Sequence, residues 1–191
     1  MLRIVRIDLE EIRKLGETQT VEFKKSLSLQ KEGFKALCGM INSDSATGAV
    51  LFGVMPDGSI SGVEPGNLDS IQKTLAHHVQ QRFDPTIIPY IEVLECDDKQ
   101  LVRLKADRAS GVPYHEYDGR AYIREGTTTR ELSYDEKRQL AKKRDRDQHS
   151  GPWKCDGCGR EVGMLVAVIR TDQGMRKSYA CRCGGEFWPI T

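Results

Sequence analysis

Four of the six cysteines stand at the far end of the chain, Cys155 and Cys158 in "CDGCG" and Cys181 and Cys183 in "CRCGG". That asymmetry divides the sequence. The intervening residues, with "MLVAVIRTDQGMRKSYA", read as a β-hairpin between two tight turns. Thiolates gathered by two such turns suit tetrahedral Zn²⁺, with Zn–S near ~2.3 Å. A fragment of ~40 residues has too little core to fold unaided, and a structural metal supplies the missing stability. The second pair is spaced Cys-x-Cys, tighter than usual, and His149 lies outside the hairpin as a poor substitute ligand. The reading is a zinc ribbon over residues 153–191 with Zn²⁺ as structural cofactor. Cys38 and Cys96 sit singly in apolar surroundings and read as small hydrophobes.

The remaining chain is long enough for one sizeable core, taken as residues 1–145 with a linker at 146–152. A formal charge of +1 gives no global field towards polyanions, so a basic binding face must be local. The longest apolar stretch, "MLVAVI", is too short to span a bilayer, and no membrane partner is expected. The N-terminus meets charge within a few residues, unlike a secretory signal. A cytoplasmic, reducing setting is expected, where cysteines serve as metal ligands more often than as disulfides.

"LRIVRI" alternates like a strand, and "DLEEIRKLG" reads as a short helix closed by Gly16. In "TQTVEFKKS", Thr20, Glu22 and Lys24 share one strand face while Val21 and Phe23 take the other. Phe34, Leu37, Cys38 and Ile41 recur at helical spacing over 30–42. "GAVLFGV" is a continuous β-prone run, the pattern of a strand buried on both faces. "PDGS" is a turn from which "ISGV" returns as a strand. A second helix follows, with Leu68, Ile71, Leu75 and Val79 on one face. "IIPYIEVLEC" and "LVRLKAD" then read as a hairpin, and "PYHEY" and "RAYIRE" as another. His77, His78 and His115 read as unremarkable. Ser133 and Glu136 stand in capping-box spacing before a last helix. The pattern is an α+β fold with a mixed sheet flanked by helices.

Glu17 and Glu22 surround this strand with carboxylates, and Lys24 shares the face of Glu22. Carboxylates converging on Mg²⁺ or Mn²⁺ can activate water in phosphodiester cleavage, and a lysine can neutralise developing charge. The bland alternative is a pair of ordinary surface glutamates. In order, "GETQTVEFKKS", "ALCGMINSDSATGAVLFGVMPDGSISGV" and "AYIREGTTTREL" resemble the AlbA-like Schlafen domain over about residues 11–140. The resemblance implies an α/β nucleic-acid-binding domain, and in some members a metal-dependent endoribonuclease acting on tRNA or rRNA. Those members carry an acidic triad. Glu17 matches its first position and Glu22, five residues on, its second; Lys24 matches the lysine of the strand. The third position departs: Met55 and Pro56 stand where relatives carry acids, and Asp57 follows one place later inside the turn.

The expectation is therefore a catalytic group of Glu17, Glu22, Asp57 and Lys24 with Mg²⁺ or Mn²⁺. Lys24, Lys25, Arg124, Thr127, Thr128 and Arg130 would hold the nucleic-acid backbone, which positions without reading sequence. Structured RNA is the expected partner, DNA the other possibility, and a homodimer would supply the second lobe that Schlafen cores contain. The alternative is a non-catalytic DNA- or RNA-binding module lacking a complete triad. A third class is an adaptor whose ribbon binds protein.

Overall fold

In the computed structural model, residues 4–64, 68–155, 157–164, 168–171, 174–177, 183 and 187–189 are described. The N-terminal alternation forms β1 (Ile4–Arg6), and Asp8 then opens α1 (Leu9–Leu15). The Glu11 N–H donates to Asp8 Oδ1 at 2.7 Å and the Asp8 N–H to the Glu11 carboxylate at 3.3 Å, a reciprocal cap. β2 (Val21–Lys24) precedes α2 (Gln30–Asn42), whose bounds match the periodicity of its apolar residues. β3 (Thr47–Phe52) is buried throughout except at Thr47, as expected of a run without polar alternation.

α3 (Leu68–Arg82) and the short β4 (Phe83–Asp84) follow, then β5 (Tyr90–Cys96) and β6 (Lys99–Asp107) as the expected hairpin. Asp97 and Asp98, at φ 48° and 57°, form a two-residue turn whose hand matches the twist of the strands it joins. β7 (Glu116–Tyr117), β8 (Tyr122–Glu125) and β9 (Thr128–Glu131) lead to α4 (Tyr134–His149). Ser133 and Glu136 form the expected capping box.

The principal sheet has five strands in the order β1-β5-β6-β3-β2 and is mixed, with parallel pairs at its two margins. Neighbouring residues on a strand face opposite ways, so the sheet has two distinct surfaces. On one, Val50, Phe52, Val102 and Leu104 meet Phe34, Leu37, Met40 and Ile41 of α2 and Leu75 and Val79 of α3. On the other, Phe23, Leu51, Leu94 and Leu101 meet Ile12 of α1. Glu22 is in register with Val50 and Lys24 with Phe52, which sends both side chains to the α2 surface. Cys38 and Cys96 pack as buried hydrophobes, as expected.

Two local expectations are corrected. "ISGV" makes a single bridge, Val54 to Ile60, because Ser61 and Gly62 both turn their N–H groups onto the Gly53 carbonyl. "PYHEY" and "RAYIRE" meet only across the "DG" turn, where Tyr117 and Arg120 form a single antiparallel bridge; beyond it β7 pairs with β4, and the Phe83 and Tyr117 ring centroids lie 5.3 Å apart. β8 pairs forward with β9 instead. Residues 146–152, expected as a linker, are taken up by the end of α4 and the start of β10 (Ser150–Cys155).

His115 is wholly buried. Its N–H donates to Asn42 Oδ1 at 2.8 Å, while Asn42 Nδ2 donates to the carbonyls of His115 at 2.7 Å and Tyr122 at 2.9 Å. The imidazole accepts at Nε2 from the Ala109 N–H and donates from Nδ1 to the Pro85 carbonyl at 2.6 Å. A polar group this deep is tolerated because it is fully satisfied. Its consequence is to fasten the C-terminal end of α2 to the start of β8.

The chain divides into two units, Met1–Lys137 and Arg138–Thr191. In the second, β10 lies between β11 (Glu161–Met164) and β14 (Phe187–Pro189), antiparallel to both. β12 (Val168–Thr171) and β13 (Gly174–Lys177) form a separate hairpin, within the stretch expected to fold that way. No helix among the described residues is long and apolar enough to cross a membrane.

Candidate nucleic-acid interface and cysteine cluster

β2 lies at the margin of the sheet, so its outward backbone groups have no neighbouring strand. Unpaired, such groups would be a liability in a partly buried setting. The preceding segment supplies what they need. Glu17 Oε1 accepts the Phe23 N–H at 3.1 Å, and the Thr18 N–H donates to the Val21 carbonyl at 2.9 Å. One oxygen of Glu17 is thereby engaged by backbone.

Glu22 is the acidic residue at the centre of the arrangement, and it is 9% exposed. One oxygen pairs with Lys24 Nζ, and the other lies 2.7 Å from Arg124 Nη2. Arg124 is 1% exposed. Its Nε donates to the Thr18 carbonyl at 3.0 Å, Nη1 to Thr129 Oγ1 at 3.2 Å, and Nη2 also to the Val21 carbonyl at 3.3 Å. The planar fork of donors suits such a junction, whereas a lysine could satisfy only part of it. Arg124 thereby forms an internal tie joining β8, β9, β2 and the segment before β2.

Gln19, which the sequence did not single out, completes the tie. Its amide nitrogen donates to the Arg124 carbonyl, and its Oε1 accepts the Gly126 N–H at 2.5 Å. The β8–β9 turn is thus held from below, leaving Thr127 and Thr128 exposed at its tip. Arg130 is also exposed but shared between Glu125 at 2.9 Å and Glu136 at 2.8 Å, and these carboxylates raise its pKa. Lys25 is exposed, and among the described residues it makes no ion pair.

The hairpin rests on α2 through Gly39. A Cβ there would sit 3.0 Å from Thr129 Cγ2 and 3.1 Å from the Ile123 backbone carbon, so a larger residue would make the hairpin give by a few tenths of an ångström. A glycine inside a helix is the one signal in the sequence that could have announced the contact.

Asp57 stands apart from the glutamates. Its Oδ1 accepts the Ser59 N–H at 2.9 Å and the Ser59 hydroxyl at 2.6 Å, which lower its pKa. Gly58, at φ 81°, closes this turn against α1, with a Cβ there 3.3 Å from Arg13 Cγ. α1 covers the surface that holds Phe23, whereas Glu22 belongs to the surface under α2. Among the described residues, Glu17, Glu22 and Asp57 do not bring their carboxylates within 4.8 Å of one another as a group. As they stand, these three residues do not fit a shared Mg²⁺ or Mn²⁺.

The thiols of Cys155, Cys158 and Cys183 do meet that spacing, all within 4.8 Å of one another. Cys155 Sγ lies 3.4 Å from Cys183 Sγ, and tetrahedral zinc with Zn–S near 2.3 Å puts sulfurs about 3.8 Å apart. The Cys158 backbone N–H, aided by the Cys183 thiol and the Gly157 amide, holds the Cys155 thiol down at about 7. Such a group loses its proton readily to a metal. The donor set fits zinc; Cys181, the expected fourth ligand, lies outside the described residues.

A family model described as Schlafen, AlbA_2 matches residues 17–133, more than half of the chain. Among solved structures, the DIP2311 protein from Corynebacterium diphtheriae aligns at 17% identity and TM-score 0.48, over 64% of this chain and 23% of its own length. The chain therefore spans about a quarter of that protein. The N-terminal domain of a RecG-related protein from Nitrosomonas europaea aligns at 19% identity and TM-score 0.46, over 65% of this chain and 90% of that domain. No curated protein matches.

Proposed function

The chain belongs to the Schlafen, AlbA_2 family, which implies a nucleic-acid-binding domain, and from that premise we propose that its first unit binds structured RNA by the backbone without cutting it. One observation carries the choice. The Glu22 carboxylate is committed on both oxygens, to Arg124 and to Lys24. A cation entering there would have to displace two positive side chains, one of them enclosed. What the Arg124 junction supports instead is a rigid seat for an exposed threonine turn, whose hydroxyls and amides suit phosphate oxygens.

The test is incubation with folded tRNA and Mn²⁺ or Mg²⁺, beside Glu22→Ala. Retention of intact tRNA by the native protein supports the reading. The second reading is a metal-dependent endoribonuclease, favoured by Glu17 and Glu22 both addressing the same strand. Cleavage by the native protein that Glu22→Ala abolishes would establish it and defeat the first. In either reading two copies would flank one RNA, and sedimentation with and without RNA tests that arrangement: a strict monomer in both removes it.

The second unit is read as a zinc ribbon closed by Cys155, Cys158 and Cys183 with Cys181. Its donor chemistry is the support.

A further inference from the structure

Resting on the RNA-binding reading, we infer that Lys31 and Lys35 of α2, with Lys25 at the turn leading into that helix, are the side chains that grip the phosphate backbone. The two arginines expected to do so are occupied. Arg124 is enclosed by Glu22, Thr18, Val21 and Thr129, and Arg130 is divided between Glu125 and Glu136. A phosphate could recruit either only by breaking pairs already formed.

α2 offers the replacement. Of its residues only Lys31, Glu32 and Lys35 are exposed, with Gln30 half-buried and all the rest buried. Lys31 and Lys35 are four positions apart, so they lie along one helix face with Cβ atoms about 5–6 Å apart. The next position on that stripe is Gly39, the residue on which the β8–β9 hairpin rests. The stripe of lysines therefore runs from solvent up to the hairpin.

The direction of the hairpin brings its tip to them. Asn42 binds the Tyr122 carbonyl, and Gly39, three residues earlier, meets Ile123 and Arg124. β8 thus advances towards the N-terminal end of α2. With rises of about 1.5 Å per helical and 3.3 Å per strand residue, one further helical turn corresponds to one or two more strand residues. That carries Glu125, with Thr128 paired opposite it, to the level of Lys35, and the Gly126–Thr127 tip just beyond.

Charge completes the case. Among the described residues Lys25, Lys31 and Lys35 make no ion pair, and Glu32 is the one carboxylate on the same exposed turns. The surplus is positive, next to hydroxyls and peptide N–H groups that recognise phosphate oxygen and carry no base readout. Such a surface suits the uniform backbone of a folded RNA.

The experiment is fluorescence anisotropy of labelled tRNA, with a DNA duplex of similar length, for wild type, Lys31→Gln/Lys35→Gln and Arg130→Gln. Titrations span about 50 to 200 mM salt, where backbone contacts show themselves in the slope of affinity against salt. The double variant is expected to bind tRNA about tenfold more weakly and to lower the slope by about 1 to 2. Arg130→Gln is expected to stay within about twofold of wild type. Both substituted lysines are exposed, so an unchanged melting curve certifies the fold. Wild-type binding that the double variant leaves intact overturns the lysine track alone. Failure of the wild type to bind either polymer at about 50 mM salt overturns the RNA reading together with it. Stronger binding to the duplex DNA overturns the assignment to RNA.

Discussion

Arg124 Nη2 and Glu22 Oε2 meet at 2.7 Å, the arginine enclosed and the glutamate largely buried. Taking two charges out of water is costly and is offset only when each keeps its full complement of partners. Here the guanidinium also holds two carbonyls and a hydroxyl. Removing one member strands the other. Arg124→Ala is expected to destabilise the protein by about 3–5 kcal/mol in urea unfolding. Glu22→Leu/Arg124→Met, which removes both charges, is expected to recover most of that loss. A single variant within about 1 kcal/mol of wild type would mean the pair is not the junction described.

Gly39→Ala isolates the seat of the hairpin. In an open helix this change stabilises by about 1 kcal/mol. Here the new methyl meets Thr129 and the Ile123 backbone, and overpacking of this kind costs about 1–3 kcal/mol. A net fall in melting temperature is expected, with faster amide exchange at residues 123–130. A rise in melting temperature would show that the hairpin does not rest there.

Two buried groups set an alkaline limit. Burial pushes both the Cys38 thiol and the Tyr117 phenol up to about 12. Ordinary thiols and phenols in the unfolded chain titrate near ~8.5 and ~10. Both folded values are raised, so the unfolded state sheds its protons first. The stabilisation is whole below about pH 8.5 and is lost as pH rises towards about 12. Urea midpoints should hold steady to about pH 8.5 and fall by about pH 10.5, and Cys38→Ala should make that fall shallower. A midpoint that holds through about pH 10.5 contradicts the burial. Cys38 should likewise resist thiol reagents at neutral pH until the protein unfolds.

Metal analysis tests the cysteine cluster. One zinc per chain is expected, released by a strong chelator or by Cys158→Ser. Loss of metal should abolish the amide protection of β10, β11 and β14, because a ribbon of this size draws its folding energy from the ion. Protection in the five-stranded sheet should persist. A chain that binds no zinc, yet keeps β10 protected, would leave the cysteines without a structural purpose.

What the sequence made legible, and what it concealed, follows the range of each interaction. α2 and β3 were readable because a helical stripe and an unbroken apolar run are local patterns. The same holds for the cap at Ser133. The "DG" turn was legible and forms, but only as one bridge between Tyr117 and Arg120, because Tyr117 packs on Phe83 and β8 runs on to pair with β9 across "EGT". His115 looked ordinary because its burial depends on Asn42, distant in sequence. The spacing of Glu17 and Glu22 was correctly noticed, but their roles were not deducible from it. Glu17 is claimed by an amide of the next strand, and Glu22 by an arginine from the far end of the domain. Asp57 stands apart from the two glutamates because its turn folds onto α1.

The segment lying alongside β2 has a consequence for how the molecule behaves in company. Sheet margins with bare amides and carbonyls are templates on which other polypeptides can add strands and seed fibres. On β2, the Phe23 amide and the Val21 carbonyl are already taken by Glu17, Thr18 and Arg124. A stray strand approaching from that flank finds its hydrogen-bonding positions filled. Whatever Glu17 does in related proteins, in this one its carboxylate already occupies an amide that an added strand would need.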